Sequence, residues 1–328
     1  MNSKSLLSFF IAVLLLAGML SGGMALGAEP EPLRAGGSST VYPIANLAAS
    51  YWNANPPAED GEYWGPEQYG IETELNLADY WCNQYGLDTF GVQVGLSHTG
   101  VGLKKLSKGQ IDLANSSAAV RFELPDSSEE ELEKYVDHVV ARDHQAFSVS
   151  REIYEAGVEV LTKEQIVDIF KGEITNWQEV EGPDREIQVI GRAVGSGTET
   201  MFRINVFGKT DVDLSGVDVR EGQNQRVRLS LQNSNNGIGY PGVDFVGEEN
   251  PAIDVIWDDE NRYSVEDSGW PLARELHMYT YETTSKKEAA FLRMIISDFG
   301  QENFLGDYYP LSEDQQEEEL EKLDKVKS

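Results

Sequence analysis

Cysteine is almost absent. Cys82 is the only one, so no internal disulfide braces the chain and its stability must come from packing. Histidine is nearly as scarce: His98, His138, His144 and His277 show no metal-type spacing, which leaves no basis for a zinc centre. Basic residues are also few. The 26 Lys and Arg stand against 56 Asp and Glu, a formal net charge of -30, so nucleic acid and anionic membrane surfaces are poor partners. The 40% hydrophobic content is nevertheless too high for a disordered chain. Several catalytic signatures are missing too. Gly195-Ser196-Gly197 lacks the spacer of a nucleophile elbow. Gly208-Lys209-Thr210 looks like the end of a phosphate-binding P-loop, but the earlier glycine that motif requires falls on Arg203. Carboxylates are too plentiful for any one pair to be informative.

Long apolar runs are missing except at the start. Lys4, the apolar run Leu6 to Leu20 and the small residues Ser21 to Ala28 describe a secretory signal peptide over residues 1–28, with cleavage expected near Gly27 or Ala28. Retention of that segment as a membrane anchor is the alternative. No cysteine follows the run directly, so a thioether lipid anchor is not expected. The reading is of an exported protein, in the periplasm or on the outer face of the cell membrane. An acidic exported body points to a salt-rich setting, where screening shortens repulsion to about 3 Å at 1 M salt.

The stretch around which the chain is organised is Ile187 to Phe207, IQVIGRAVGSGTETMFRINVF. A strand-like alternation runs through Ile187 and Val189, then Gly191, Arg192 and a Gly-Ser-Gly-Thr turn lead into apolar residues at helical spacing. Ser196 and Glu199 have the spacing of a capping box. A helix start offers unpaired backbone N–H groups, glycines let an anion approach them, and Arg192 adds a fixed charge with a planar fork. Such a stretch suits a small tetrahedral anion, although an ordinary capped strand–turn–helix would look the same.

Three further hydroxyl-rich turns follow strand-like runs: Gly36 to Thr40 before a helix through Trp52, Ser97-His98-Thr99-Gly100, and Asn115-Ser116-Ser117. Thr162/Gln165 and Ser285/Glu288 are further capping boxes, the second opening a helix expected to run through Phe299 and stop at Gly300. Gly237, Gly239 and Gly242 match the dinucleotide pattern, but Pro241 lies inside it and a strand-like run follows. Residues 53–91, rich in Trp and Tyr, read as an insertion or elaborated loop whose aromatics pack beneath it. The tail from Ser312 reads as a charged helix with a solvated face. Strands alternate with helices, the pattern of open α/β sheets whose ligands sit beyond the carboxyl ends of the strands. The expected division is residues 29–146 with 243–328 as one unit and 147–242 as the other.

Taken in order, GGSSTVYP, IDLANSSAAV, LTKEQIVDIFKGEITNWQEV, IGRAVGSGTETMF, NGIGYPGV and DYYPLS make the chain similar to the phosphate-binding proteins of ABC-type phosphate importers. The likeness covers nearly all of the chain after the signal, except 53–91. It implies a periplasmic-binding-protein-like type II fold: two α/β domains closing on one dehydrated phosphate ion, with no cofactor and no catalysis. The implied ligand groups are Ser39, Thr40 and Val41, then Ser97, then Ser117, then Arg192, Ser196, Gly197 and Thr198. The implied partner is a membrane permease, and the protein is expected to act as a monomer. Two positions depart from the family. Ser117 stands where some members carry an Asp that accepts the proton of hydrogen phosphate, and Val194 where some carry an Asp that holds the guanidinium. Sulfate, tungstate or phosphonate therefore remain alternatives. So do a phosphoester hydrolase using Ser196 or His98 and, more remotely, an interaction module built on 53–91.

Overall fold

The computed structural model describes residues 30–258 and 260–327; the expected signal segment lies outside them. The chain first lays down β1 (Leu33–Gly37), β2 (Val92–Leu96), β3 (Leu113–Ser116) and β4 (Tyr135–His144). It then builds a second sheet from β5 (Phe147–Val149), β6 (Val160–Thr162), β7 (Gln188–Arg192), β8 (Val219–Glu221), β9 (Gly237–Gly239), β10 (Ala252–Ile256) and β11 (Arg262–Tyr263). Finally β12 (Ala273–Tyr281) returns to the first sheet. The spatial orders are β2-β1-β3-β12-β4 and β11-β10-β5-β9-β7-β8, with β6 paired to β10.

In the first sheet β1 is parallel to β2 and β3; in the second β7 is parallel to β8 and β9. Parallel neighbours need a crossover, and helices such as Tyr42–Ala54, Thr99–Leu106, Gly197–Phe207 and Asn224–Gln232 supply it. Each sheet has its own apolar core. Ile44, Trp52, Leu113, Met278 and Phe291 fill the first; Phe147, Ile169, Trp177, Phe202 and Ile238 fill the second. The result is the two-unit α/β architecture that the alternation of strands and helices implies.

The boundary expected at residue 243 needs correction. β10 pairs with β5 and β6 in the second sheet, because Ile253 and Val255 point by alternation into the second core. The chain changes sheet between His144 and Phe147 and again between Tyr263 and Ala273. Gly300 does not stop a helix either. One helix is Lys286–Ile296, Ser297 is extended, and a new helix Asp298–Asn303 contains the glycine. A Cβ at Gly300 would lie 2.2 Å from the Met294 carbonyl oxygen, so glycine is there for close approach. The tail helix Glu313–Asp324 is also less solvated than its charge suggests, since it buries Leu323 and sets Glu319 3.5 Å from His138. The capping boxes at Thr162/Gln165 and Ser285/Glu288 both form.

Residues 53–91 contribute to the first core. They contain a one-turn 3-10 helix, Pro66–Tyr69, and a short α-helix, Leu77–Asn83. Trp64 donates its indole N–H to the Leu75 carbonyl at 3.0 Å and meets Phe299 edge-on at 5.0 Å. Trp64 and Trp81 are buried in the first core, Trp64 against Phe299 of the Asp298–Asn303 helix, while Tyr63 stays exposed. Trp64→Ala is therefore expected to destabilise the protein by about 3–5 kcal/mol, the cost of truncating a buried aromatic. Urea unfolding measures it; an unchanged midpoint would mean that the segment is peripheral to the core.

Candidate functional site

β7 drives the central stretch into the second core through Val189, while Ile190 packs on the other face against Val227 and Leu231, and Gly191 lets the strand pass closely under its neighbours. A Cβ there would meet Val217 at 2.8 Å and the Tyr240 hydroxyl at 3.0 Å. That leaves Arg192 at the carboxyl end of the strand. Gly195, with φ +82°, turns the chain, and Gly197–Phe207 begins. Ser196 is the N-cap residue, but its side chain makes no capping bond, so the expected capping box does not form. Glu199 is drawn elsewhere: its carboxylate accepts from the Tyr240 hydroxyl, from Arg203 at 2.8 Å and from Arg220 at 3.1 Å.

From the first sheet come the turns that follow β1, β2 and β3. The Ser38 hydroxyl donates to Ser117 Oγ at 3.0 Å and accepts the Thr40 N–H at 3.1 Å. The Ser117 N–H donates to Thr99 Oγ1 at 3.3 Å. Both units' strand ends face each other here, and polar contacts cross between them. Arg192 Nη2 donates to Ser39 Oγ at 3.2 Å. Thr40 Oγ1 lies 3.0 Å from Thr198 Oγ1, and Gly100 N–H donates to the Gly195 carbonyl at 3.2 Å. A Cβ at Gly197 would sit 2.7 Å from both Ser117 Oγ and Thr99 Oγ1, so that glycine sets how closely the units meet.

The guanidinium of Arg192 is 2% exposed. Nε donates to the Glu221 carbonyl at 3.3 Å, Nη1 to Asn224 Oδ1, and Nη2 to the Gly222 carbonyl at 3.2 Å as well as to Ser39. Every one of these acceptors is uncharged. Burial brings its pKa down to about 10, against the opposing pull of Tyr240, with a smaller push from Arg274 and smaller offsets from Glu199 and Glu221; this leaves it a cation at neutral pH.

Of the residues expected from sequence, Ser39, Thr40, Ser117, Arg192, Ser196, Gly197 and Thr198 are all buried at this junction. Val41 is buried too, as the N-cap residue of the Tyr42–Ala54 helix. Ser97 stands apart: it is half-buried, its N–H donates to Gly37, and among the described residues no hydrogen bond joins it to the rest. Val194 is 86% exposed, and the guanidinium is held instead by Asn224 and carbonyl groups.

Sequence reading missed Asn224. It is fully buried, its Nδ2 donates to Thr40 Oγ1 at 2.8 Å, and its backbone N–H donates to Ser39 Oγ at 3.3 Å. The signal that could have found it is its place at the first turn of a helix after β8, the same arrangement as at Ser196. Gln145, between the sheets, was missed as well; its Nε2 donates to the Thr198 carbonyl at 2.9 Å. So were Ser38 and Thr99, which brace Ser117. Together these groups form a buried, donor-rich cluster, which we call the chamber, with one cation that has no acidic partner in an ion pair among the described residues, chemistry suited to a small oxyanion.

Comparison with known proteins follows the same line. A family model described as a PBP superfamily domain matches residues 22–298. The phosphate-binding protein PstS of Staphylococcus saprophyticus is 25% identical over 289 residues, covering 84% of this chain and 88% of its own. The substrate-binding protein assigned to a phosphate ABC transporter of Clostridium perfringens, solved with phosphate bound, aligns with a TM-score of 0.65 at 19% identity, over 86% of this chain and 100% of that one. An ABC-type phosphate transport receptor from Vibrio cholerae aligns with a TM-score of 0.56 at 21% identity, over 85% of this chain and 100% of that one. The structural likenesses show a periplasmic-binding-protein-like fold.

Two outcomes are expected from this geometry. Gly197→Ala should hold the units apart and weaken anion binding; unaltered affinity by titration calorimetry would contradict the close approach. The second concerns His98, which is half-buried with its Nδ1 enclosed and unpaired. Burial first, then the charge of Arg192, lowers its pKa below the ordinary 6.5. The folded state thus binds the proton less readily than the unfolded chain. The neutral-ring contribution to stability is whole above about pH 6.5 and is lost as pH falls below it. His98→Asn should lose less stability on acidification than the parent in parallel urea titrations, and equal losses would count against this environment.

Proposed function

The chain belongs to the PBP superfamily, and from that premise we propose that it is an extracytoplasmic receptor that captures inorganic phosphate between its two units and delivers it to the membrane permease of an ABC importer. The observation that carries this reading is Arg192: a buried cation with only neutral partners, ringed by hydroxyl and amide donors from both units. A phosphate ion there supplies the missing negative charge. Its oxygens accept from Ser39, Thr40, Ser196 and Thr198 and from the backbone N–H groups at the start of the Gly197–Phe207 helix, where the helix dipole also favours an anion. Because donors come from both units, the ligand ties them together, and the closed shape is what a permease would recognise. The names carried by the relatives point the same way. We read the protein as a receptor without catalysis, acting as a monomer outside the cell. Among the described residues no helix is long and apolar enough to cross a membrane.

A second reading is favoured by one observation. Ser117 is buried and bonded to Ser38 and Thr99, so at this point the chamber presents a hydroxyl rather than a carboxylate. A hydroxyl donates as well as accepts, and it repels sulfate less than a carboxylate does. On that reading the receptor accepts other tetrahedral oxyanions beside phosphate.

Calorimetric titration with phosphate, then with sulfate as competitor, at high salt, separates the two. Phosphate binding unmoved by sulfate supports the first reading; competition at similar concentrations supports the second; binding of neither sinks both. Arg192→Ala should weaken phosphate binding by on the order of 2–5 kcal/mol, the loss expected when one partner of a desolvated charged pair is removed. Unchanged affinity in a folded variant would remove Arg192 from the site.

A further inference from the structure

Behind the anion chamber, where the chain crosses between sheets, lies a second guanidinium. Arg274 is the second residue of β12 and faces Asp143 of β4 in register. The ion pair is sealed, with side chains 1% and 0% exposed. Arg274 Nε and Nη2 donate to Asp143 Oδ2 at 2.9 and 2.6 Å, and the other oxygen of Asp143 accepts the Val243 N–H at 3.1 Å. Nη2 also reaches Thr40 Oγ1 at 3.5 Å, and the charge of Arg274 is felt at Arg192. Nη1 is different: it is buried and has no hydrogen-bond partner. A charged donor enclosed without an acceptor is costly unless something else fills that role. Thr40, which Nη2 reaches, is already a member of the anion chamber.

We propose that Arg274 is a second cation of the oxyanion site, and that it sets a preference for the doubly charged form of the ligand. This rests on the reading that the cleft binds an oxyanion. Asp143 occupies Nε and Nη2 and holds the fork in place; Nη1 is left to donate toward the ligand, while Nη2 polarises the Thr40 hydroxyl. Arg192 and Arg274 against Asp143 leave one net positive charge in the chamber. A dianion exploits that field more than a monoanion does, because its interaction energy scales with its charge. The pairing with Asp143 keeps the second cation from being an unbalanced buried charge when the site holds no ligand.

The test measures phosphate affinity by calorimetry below and above the second ionisation of phosphate. The ionisable groups around the two guanidinium groups include Asp143, Asp244, Asp307, Glu199, Glu221, Tyr240 and Tyr308, so the quantity read is the change between the two pH values in variant against wild type. Wild type should bind the dianion more tightly. Arg274→Gln should lose roughly tenfold or more in dianion affinity, the scale of one charge-assisted hydrogen bond, and most of the difference between the two forms. Asp143→Asn keeps the cation and an acceptor oxygen for the fork while removing the neutralising charge, so it should retain the dianion preference. Arg274→Gln leaves a buried carboxylate unpaired and can fail to fold. The double variant Asp143→Leu with Arg274→Met removes both charges at once and should show the same loss of dianion preference. A parallel loss in every variant, with the dianion preference intact, would make the pair a structural clasp and overturn the proposal. Wild-type affinity in Arg274→Gln would do the same. Absence of phosphate binding by wild type would overturn the phosphate reading itself, and this inference with it.

Discussion

Everything around the cleft depends on keeping one positive charge out of water with nothing negative beside it. Moving a guanidinium from solvent into a protein interior is unfavourable by several kcal/mol even after relaxation. Arg192 is held there by two carbonyl oxygens, an amide oxygen and a serine hydroxyl, all aimed at its N–H groups. A second layer fixes those partners. The Tyr240 hydroxyl accepts the backbone N–H of Arg192 at 2.9 Å and donates to Glu199, and Arg220 links Glu199 to the Arg192 carbonyl. The acidic group is thus close enough to stabilise the cation through space and too occupied to quench it. Tyr240 in turn stacks on Phe202 at 3.9 Å, which ties the position of the charge to the packing of the second core.

For a body with net charge -30 to take up an anion, as we propose, its positive potential must be local. Depth supplies that locality. Surface carboxylates act through solvent and are screened beyond about 8 Å at physiological salt, less far at higher salt. Arg192 and Arg274 act through the low-dielectric interior at hydrogen-bond range. The acidic exterior and the cationic interior therefore coexist because they operate over different distances.

Much of this was legible in the sequence, and the reasons differ from residue to residue. The strand, glycine turn and helix around Arg192 are local, and local pattern suffices to read them. The hydroxyl turns after β1 and β3 were legible for the same reason. Ser196 was read correctly as a helix start but wrongly as a capping side chain, because the fate of Glu199 depends on Tyr240 and Arg220, far away in the chain. Gln145 was invisible for a related reason: it sits in no motif, and only the meeting of two sheets brings it to Thr198, while Asn224 showed no more than its place at a helix start, which does not reveal that it meets Thr40. The boundary at 243 was misplaced because a short alternating strand such as Ala252–Ile256 carries no mark of which sheet it joins. That choice is made by which core has room for Ile253 and Val255.

The exposure of Val194 and the seclusion of Cys82 together have a practical meaning. Val194 stands at the lip of the chamber, two residues from Arg192 and two from Ser196, with its side chain in solvent. Cys82 is buried in the first core, and burial pushes its thiol pKa up to about 12, so almost none of it is thiolate at neutral pH. A cysteine placed at 194 would be the one thiol available to a maleimide dye. The dye would sit where the two units approach each other, in surroundings that would change if ligand binding closed the cleft as proposed. The fold thus offers a single-label optical sensor for its ligand without any need to remove the native cysteine.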